Sequence, residues 1–268
     1  MRWQGHIEKM AARLEGLVHY QLPLDDVLVD VNALLGRRLR VSFMHSIRCV
    51  SCGKTIPKTY GQGFCYPCFT TVPEADACVL SPEKCRAHLG EARDMSWATA
   101  HCLIPHVVYL AMSGNIKVGV TRHTQVPIRW IDQGASSAVV LCETPNRHIA
   151  GVIEVFLKQH YPDKTKWQQM LKGVHDEGDL LVEKQRAAAL LPPILRRYVS
   201  GNDQVTSLSY PYAGALPEML AQVTFDKQSV VEGVLTAVRG QYLVFDHHWA
   251  LNVRRHRGYL VVVETIDD

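Results

Sequence analysis

His106-Val107-Val108-Tyr109-Leu110-Ala111-Met112, then Ser113-Gly114-Asn115, then Ile116-Lys117-Val118-Gly119-Val120-Thr121 is the stretch that decides the fold. Two apolar, β-branched runs on either side of a Ser-Gly-Asn turn read as a β-hairpin. Val126-Pro127-Ile128-Arg129-Trp130-Ile131-Asp132-Gln133, with Gly134 after it, predicts a short helix: Pro stands near its start and Gly just past its end. Ala138 to Cys142 predicts a third strand. Thr144-Pro145 then opens a longer helix, with Thr144 as candidate N-cap. The apolar positions Ile149, Val152, Ile153, Phe156 and Leu157 give that helix one face. Gly151, in its middle, costs about 1 kcal/mol relative to Ala, and so marks a place where something approaches closely.

Hairpin, helix, strand and helix carry Val108-Tyr109, then Lys117-Val118-Gly119-Val120-Thr121, then Arg129, then Glu154. This order resembles the GIY-YIG nuclease module, in the variant whose second motif begins with Lys. The whole chain, with cysteines placed before the hairpin, is also similar to a bacterial family of uncharacterised proteins. The first resemblance covers about a fifth of the sequence and the second covers most of it.

The chemistry expected of such a module can be stated residue by residue. Phosphodiester hydrolysis needs an activated water, a cation for the leaving oxygen and positive charge at phosphorus. Tyr109 is the candidate general base, provided that Lys117 and Arg129 lower its pKa. Arg129 can hold two phosphate oxygens bidentately. Glu154 can supply one carboxylate to a catalytic Mg or Mn ion, which keeps most of its waters. The plainer readings are a packed Tyr109, a Lys117 guarding a sheet edge, and an exposed Glu154–Lys158 helix pair.

The cysteines read separately. Eight of them occur in 268 residues. Cys49-Val50-Ser51-Cys52 and Cys65-Tyr66-Pro67-Cys68 form two Cys-x-x-Cys knuckles with the spacing of a closed four-thiolate zinc site, which is structural because no coordination position is open. Cys78, Cys85, His88 and Cys102 make a possible second zinc site. His101 or His106 could replace His88 there, an iron–sulfur cluster is an alternative, and buried free thiols are the plain reading. One or two structural Zn ions are therefore expected. Cys142 reads as a core thiol.

Net charge is +3, so any nucleic-acid surface is local rather than global. Candidate contacts are Arg122, Arg129, Lys164 and Lys166 beside Trp167, and the runs Arg37–Arg40 and Arg254–Arg257, among them Arg254 and Arg255. Apolar residues make up 47% and charged residues 21%, ordinary for a globular protein. Met1 to Arg13 has no signal-peptide pattern and no run reaches membrane-span length, so a cytoplasmic protein is expected.

Strands are predicted at Leu17–Leu22, Val27–Val31 and Arg38–Phe43, and again at Val230–Val238, Tyr242–Phe245, Ala250–Arg254 and Tyr259–Glu264. The later group reads as an antiparallel meander of the kind small barrels show. The expected fold is α+β: a β segment at 1–46, a cysteine-rich segment at 47–105, the GIY-YIG-like ββαβα module at 106–200, and the meander at 201–268. The meander would pair with the first segment into a barrel-like domain.

The leading functional expectation is a metal-dependent nuclease with structural zinc, acting on DNA or RNA. A second is a zinc-containing nucleic-acid-binding protein without activity. A third is a redox or metal-sensing protein built on the cysteines.

Overall fold

The computed structural model describes residues 1–162, 166–173 and 178–266. In chain order its strands are β1 (Arg2–His6), β2 (Ala11–Glu15), β3 (Leu17–Leu24), β4 (Val27–Asp30) and β5 (Arg38–Ile47). Then come β6 (His106–Ser113), β7 (Asn115–Arg122), β8 (Ser137–Thr144) and β9 (Thr206–Ser207). The last are β10 (Ala221–Val223), β11 (Val230–Arg239), β12 (Tyr242–Phe245), β13 (Trp249–Asn252) and β14 (Tyr259–Thr265). Two compact units result: Met1–Phe69 with the segment from Ser209 onward, and Thr70–Leu208. Among the described residues no helix is long and apolar enough to cross a membrane.

In the first unit, alternation of apolar and polar residues sets up two sheets. Val18, Tyr20, Leu22 and Leu24 of β3 are buried at every second position, as are Leu39 and Val41 of β5. A seven-stranded sheet runs in the order β1-β14-β5-β11-β12-β13-β10, and β2-β3-β4 forms a second sheet of three. Ile7, Leu22, Val29, Val31, Leu39 and Val261 come together in one apolar core region. Each such side chain contributes about 1.5–3 kcal/mol on burial.

β5 lies between β11 and β14, and β14 between β5 and β1, all antiparallel. The early strands of the chain are thus bonded to the late ones. The expected barrel does not form. The meander ends on β10, a three-residue strand that adds in parallel to β13, and the edges β1 and β10 do not pair with each other.

In the second unit the hairpin β6–β7 and strand β8 make an antiparallel sheet in the order β7-β6-β8-β9. All eight residues of β6 are buried, because both faces of the sheet are covered. Val108, Leu110, Val118 and Leu141 meet Ala150, Ile153 and Leu157 of the helix Arg147–Leu157. Tyr109, one residue out of phase, lies across the sheet against Trp130 of the helix Ile128–Asp132. The longer helix begins later than Thr144-Pro145 suggests. Thr144 stays in β8 and its hydroxyl donates to His106 O at 3.1 Å, while Asn146 takes over the cap by accepting from Ile149 N at 3.0 Å.

Candidate metal centres

The first cysteine group is built by turns that follow β5. Cys49 N donates to Lys54 O at 2.8 Å and Val50 N to Gly63 O at 2.9 Å, which lays the two knuckles side by side. Gly63 has φ 106°, and a β-carbon there would stand 3.2 Å from Arg257 O, so a side chain is doubly disfavoured. Cys65 and Cys68 flank the start of the helix Tyr66–Thr71. The ligand atoms of Cys49, Cys52, Cys65 and Cys68 all lie within 4.8 Å of one another. The Cys52–Cys65 sulfur separation is 3.8 Å. Tetrahedral zinc with bonds near 2.3 Å sets sulfurs about 3.8 Å apart, so four thiolates can close round one ion here.

Electrostatics favour the thiolate at Cys49. Burial would raise the Cys49 thiol, but backbone N–H groups of Cys52, Cys65 and Ser51 point at it and bring it down to about 6. Cys68, donating to Cys65, is pushed up to about 12.

The second group is assembled by capped turns. Asp76 Oδ1 accepts from Cys78 N at 2.9 Å, opening the short helix Ala77–Leu80. Asp94 Oδ1 accepts from Trp97 N at 2.9 Å, opening the helix Met95–His101, which delivers Cys102. Cys78, Cys85 and Cys102 are buried, with their sulfurs within 4.8 Å of one another. Their mutual hydrogen bonds hold Cys85 as the thiolate and push Cys78 up. The Arg147 guanidinium reaches the group from the neighbouring helix: Nη1 donates to Cys78 O at 3.2 Å and stands 4.0 Å from Cys78 Sγ. Nη2 donates to His101 O at 3.1 Å.

His88 does not join this group. Its ring stacks on His148 at 4.3 Å instead. His101 and His106 stand outside the group as well. His101 stacks on Trp97 at 4.2 Å with Nδ1 2.8 Å from Trp97 O. His106 is buried with Nδ1 2.8 Å from Ile104 O, and burial with nearby Arg147 and Arg122 pushes it down to about 4. Cys142 sits in the apolar core, where burial raises it to about 12.

The hairpin residues converge, but under cover. Tyr109 is 0% exposed and its hydroxyl donates to Gln133 Oε1 at 2.7 Å. Burial pushes the phenol up and Glu154 adds to this, while Arg129 and Gln133 pull the other way without prevailing. The lowered pKa required of a general base is therefore not found. Lys117 is 2% and Glu154 7% exposed, so neither guards an open edge nor forms a solvated helix pair. Glu154 Oε2 lies 3.5 Å from Lys158 Nζ with most of its side chain enclosed. The close approach expected at Gly151 is made by the chain itself, since a β-carbon there would run into the backbone of Pro82 and Glu83.

Of the candidate nucleic-acid contacts, Arg122 is half-buried and Lys166 exposed, and Lys164 lies outside the described residues. Arg254 Nε donates to Gln62 Oε1 at 2.8 Å, and Arg255 pairs with Asp226 at 3.5 Å. Arg38 and Arg40 both reach Glu232, at 3.7 and 2.8 Å.

The model of a family described as "Protein of unknown function (DUF2797)" matches residues 36–261. The chain belongs to this family. The span shared with DUF2797 takes in both cysteine groups, the hairpin module and strands β5 to β13. No curated protein and no solved structure matches the chain.

Sequence reasoning passed over Arg147, Asp76 and Gln133. The Asp76-x-Cys78 cap spacing was available to it. Nothing local ties Arg147 to Cys78, 69 residues earlier.

Proposed function

We propose that the protein is a zinc-containing nucleic-acid-binding protein whose hairpin module does not hydrolyse phosphodiesters. The observation that carries the reading is the state of Tyr109: fully enclosed, its hydroxyl given to Gln133, its proton held more tightly than in water. A general base must reach water and release its proton near neutral pH. The four-cysteine group supports zinc, with sulfur spacing that suits one tetrahedral ion. The half-exposed guanidiniums of Arg38, Arg40 and Arg255 support a phosphate-contacting face on the first unit.

The test is a panel of labelled DNA and RNA, single-stranded, duplex and branched, incubated with Mg or Mn. The expected result is salt-sensitive binding without cleavage. Metal-dependent cleavage that disappears in Glu154→Gln would overturn it.

A second reading, a divalent-metal nuclease with Glu154 holding Mg or Mn, is favoured by one observation. Arg129 and Glu154 both act on the Tyr109 hydroxyl, so three of the four candidate residues lie within electrostatic reach of each other.

A further inference from the structure

We propose that Cys78, Cys85 and Cys102 hold one thiophilic metal ion through three sulfurs, leaving a fourth position that takes a small, charged thiol from the adjoining cavity. Three observations converge on this. The sulfurs lie within 4.8 Å of one another, a separation that suits a single ion. Among the described residues the ligand set stops at three: no histidine nitrogen joins the group, and His106 Nε2, buried without a hydrogen-bond partner, stands outside it. All three cysteines line a cavity of about 240 Å³, walled also by Lys84, Arg86, Arg93 and Trp97. Closed sites are sealed by a fourth protein ligand, whereas sites that keep an exchangeable position open it onto space.

The cavity and the charges indicate the kind of ligand. At about 240 Å³ it falls below the range of about 300–1,000 Å³ typical of drug-sized ligands, so the occupant is small. A divalent ion with three thiolates carries one net negative charge, which the Arg147 guanidinium beside Cys78 offsets. Arg86 pairs with Glu91 and Arg93 with Asp76, which leaves the Lys84 ammonium on the wall to meet an added carboxylate. Soft thiolate surroundings favour a further sulfur donor over oxygen. A thiol of cysteine's size and charge meets each condition. On binding, its S–H proton goes to solvent, its sulfur lone pair forms the new metal–sulfur bond, and a metal-bound water departs. No electron changes hands.

This is tested by replacing the metal of the full chain with Co²⁺ and counting cobalt retained after gel filtration. Sulfur-to-cobalt charge-transfer intensity reports the number of thiolates. In Cys49→Ser, which removes the first site, one cobalt should remain. Adding cysteine should raise its charge-transfer band by about a third, as three thiolates become four, and serine should leave it unchanged. Wild type with two cobalts should show the same increment, and Cys85→Ser should lose it, so the result stands even if Cys49→Ser fails to fold. His106→Gln should respond as wild type does. The proposal is overturned if no second cobalt binds, if cysteine leaves the band unchanged, or if His106→Gln weakens the second cobalt tenfold or more, since that would make His106 the fourth ligand.

Discussion

A β-carbon at Gly119 would stand 2.6 Å from the hydroxyl oxygen of Tyr109 on the facing strand. The two residues are cross-strand partners in the β6–β7 hairpin, and the missing side chain of one is the space taken by the ring of the other. Gly119→Ala should therefore destabilise the second unit by about 1–3 kcal/mol, the usual cost of overpacking. Denaturant unfolding measures this. Adding Tyr109→Phe, which removes the clashing oxygen, should recover part of the loss; equal stability of Gly119→Ala and wild type would show that the ring moves freely.

Cys49→Ser or Cys68→Ser should release one equivalent of zinc and lower the melting temperature of the first unit. Closing four thiolates round an ion is part of folding that segment. Metal content by mass spectrometry and a thermal melt with and without chelator check the outcome.

Glu154→Gln should cost stability, at about 1–2 kcal/mol, because the carboxylate is enclosed beside Lys158 and its charge is lost there. The same variant should leave nucleic-acid binding unchanged. An unaltered unfolding midpoint would return Glu154 to the solvated helix pair that its spacing suggests.

Glu232 draws on both Arg38 and Arg40. Glu232→Gln should free the two guanidiniums, raising affinity for nucleic acid and steepening its salt dependence by roughly one unit of slope per added phosphate contact. Arg38→Ala with Arg40→Ala should do the reverse, and so should Arg254→Ala with Arg255→Ala. Anisotropy titrations across a salt series read both changes; insensitivity to all three would move the binding face elsewhere.

His106 carries a pH dependence of definite sign. Its folded pKa, about 4, lies below the ordinary value of 6.5. The unfolded chain therefore takes up this proton first as pH falls. The stability it confers is complete above about 6.5 and drains away as pH drops toward 4, by roughly 3 kcal/mol at most. His106→Gln should flatten the stability profile in that window relative to wild type.

The strands were the most legible part of the molecule. Two-residue alternation placed β11, β12 and β14 to within a residue at each end and β13 to within two, while β5 runs four residues past the expected end at Phe43, to Ile47. The barrel was a wrong extrapolation from the same pattern, since nothing in alternation says whether a last strand closes on the first or adds in parallel, as β10 does. The cysteine spacing was equally legible for Cys49 to Cys68, where all four cysteines are close in sequence and come together. It misled at His88, whose three-residue spacing from Cys85 looks like ligation while its ring lies on His148. Burial was least legible. Tyr109, Lys117 and Glu154 look reactive in one dimension and are enclosed in three, Tyr109 by Gly119 and Trp130.

Synthesis on the ribosome imposes an order on this architecture. β5 emerges early, yet both of its sheet neighbours, β11 and β14, lie beyond the whole of Thr70–Leu208. Through that interval its ten residues have neither backbone partner, and such an unpaired edge is what chaperones shield and aggregation exploits. The middle unit has all its strands in hand and can complete itself while the flanking sheet waits. A nascent chain stalled before Val230 should thus carry one finished domain and one open seam.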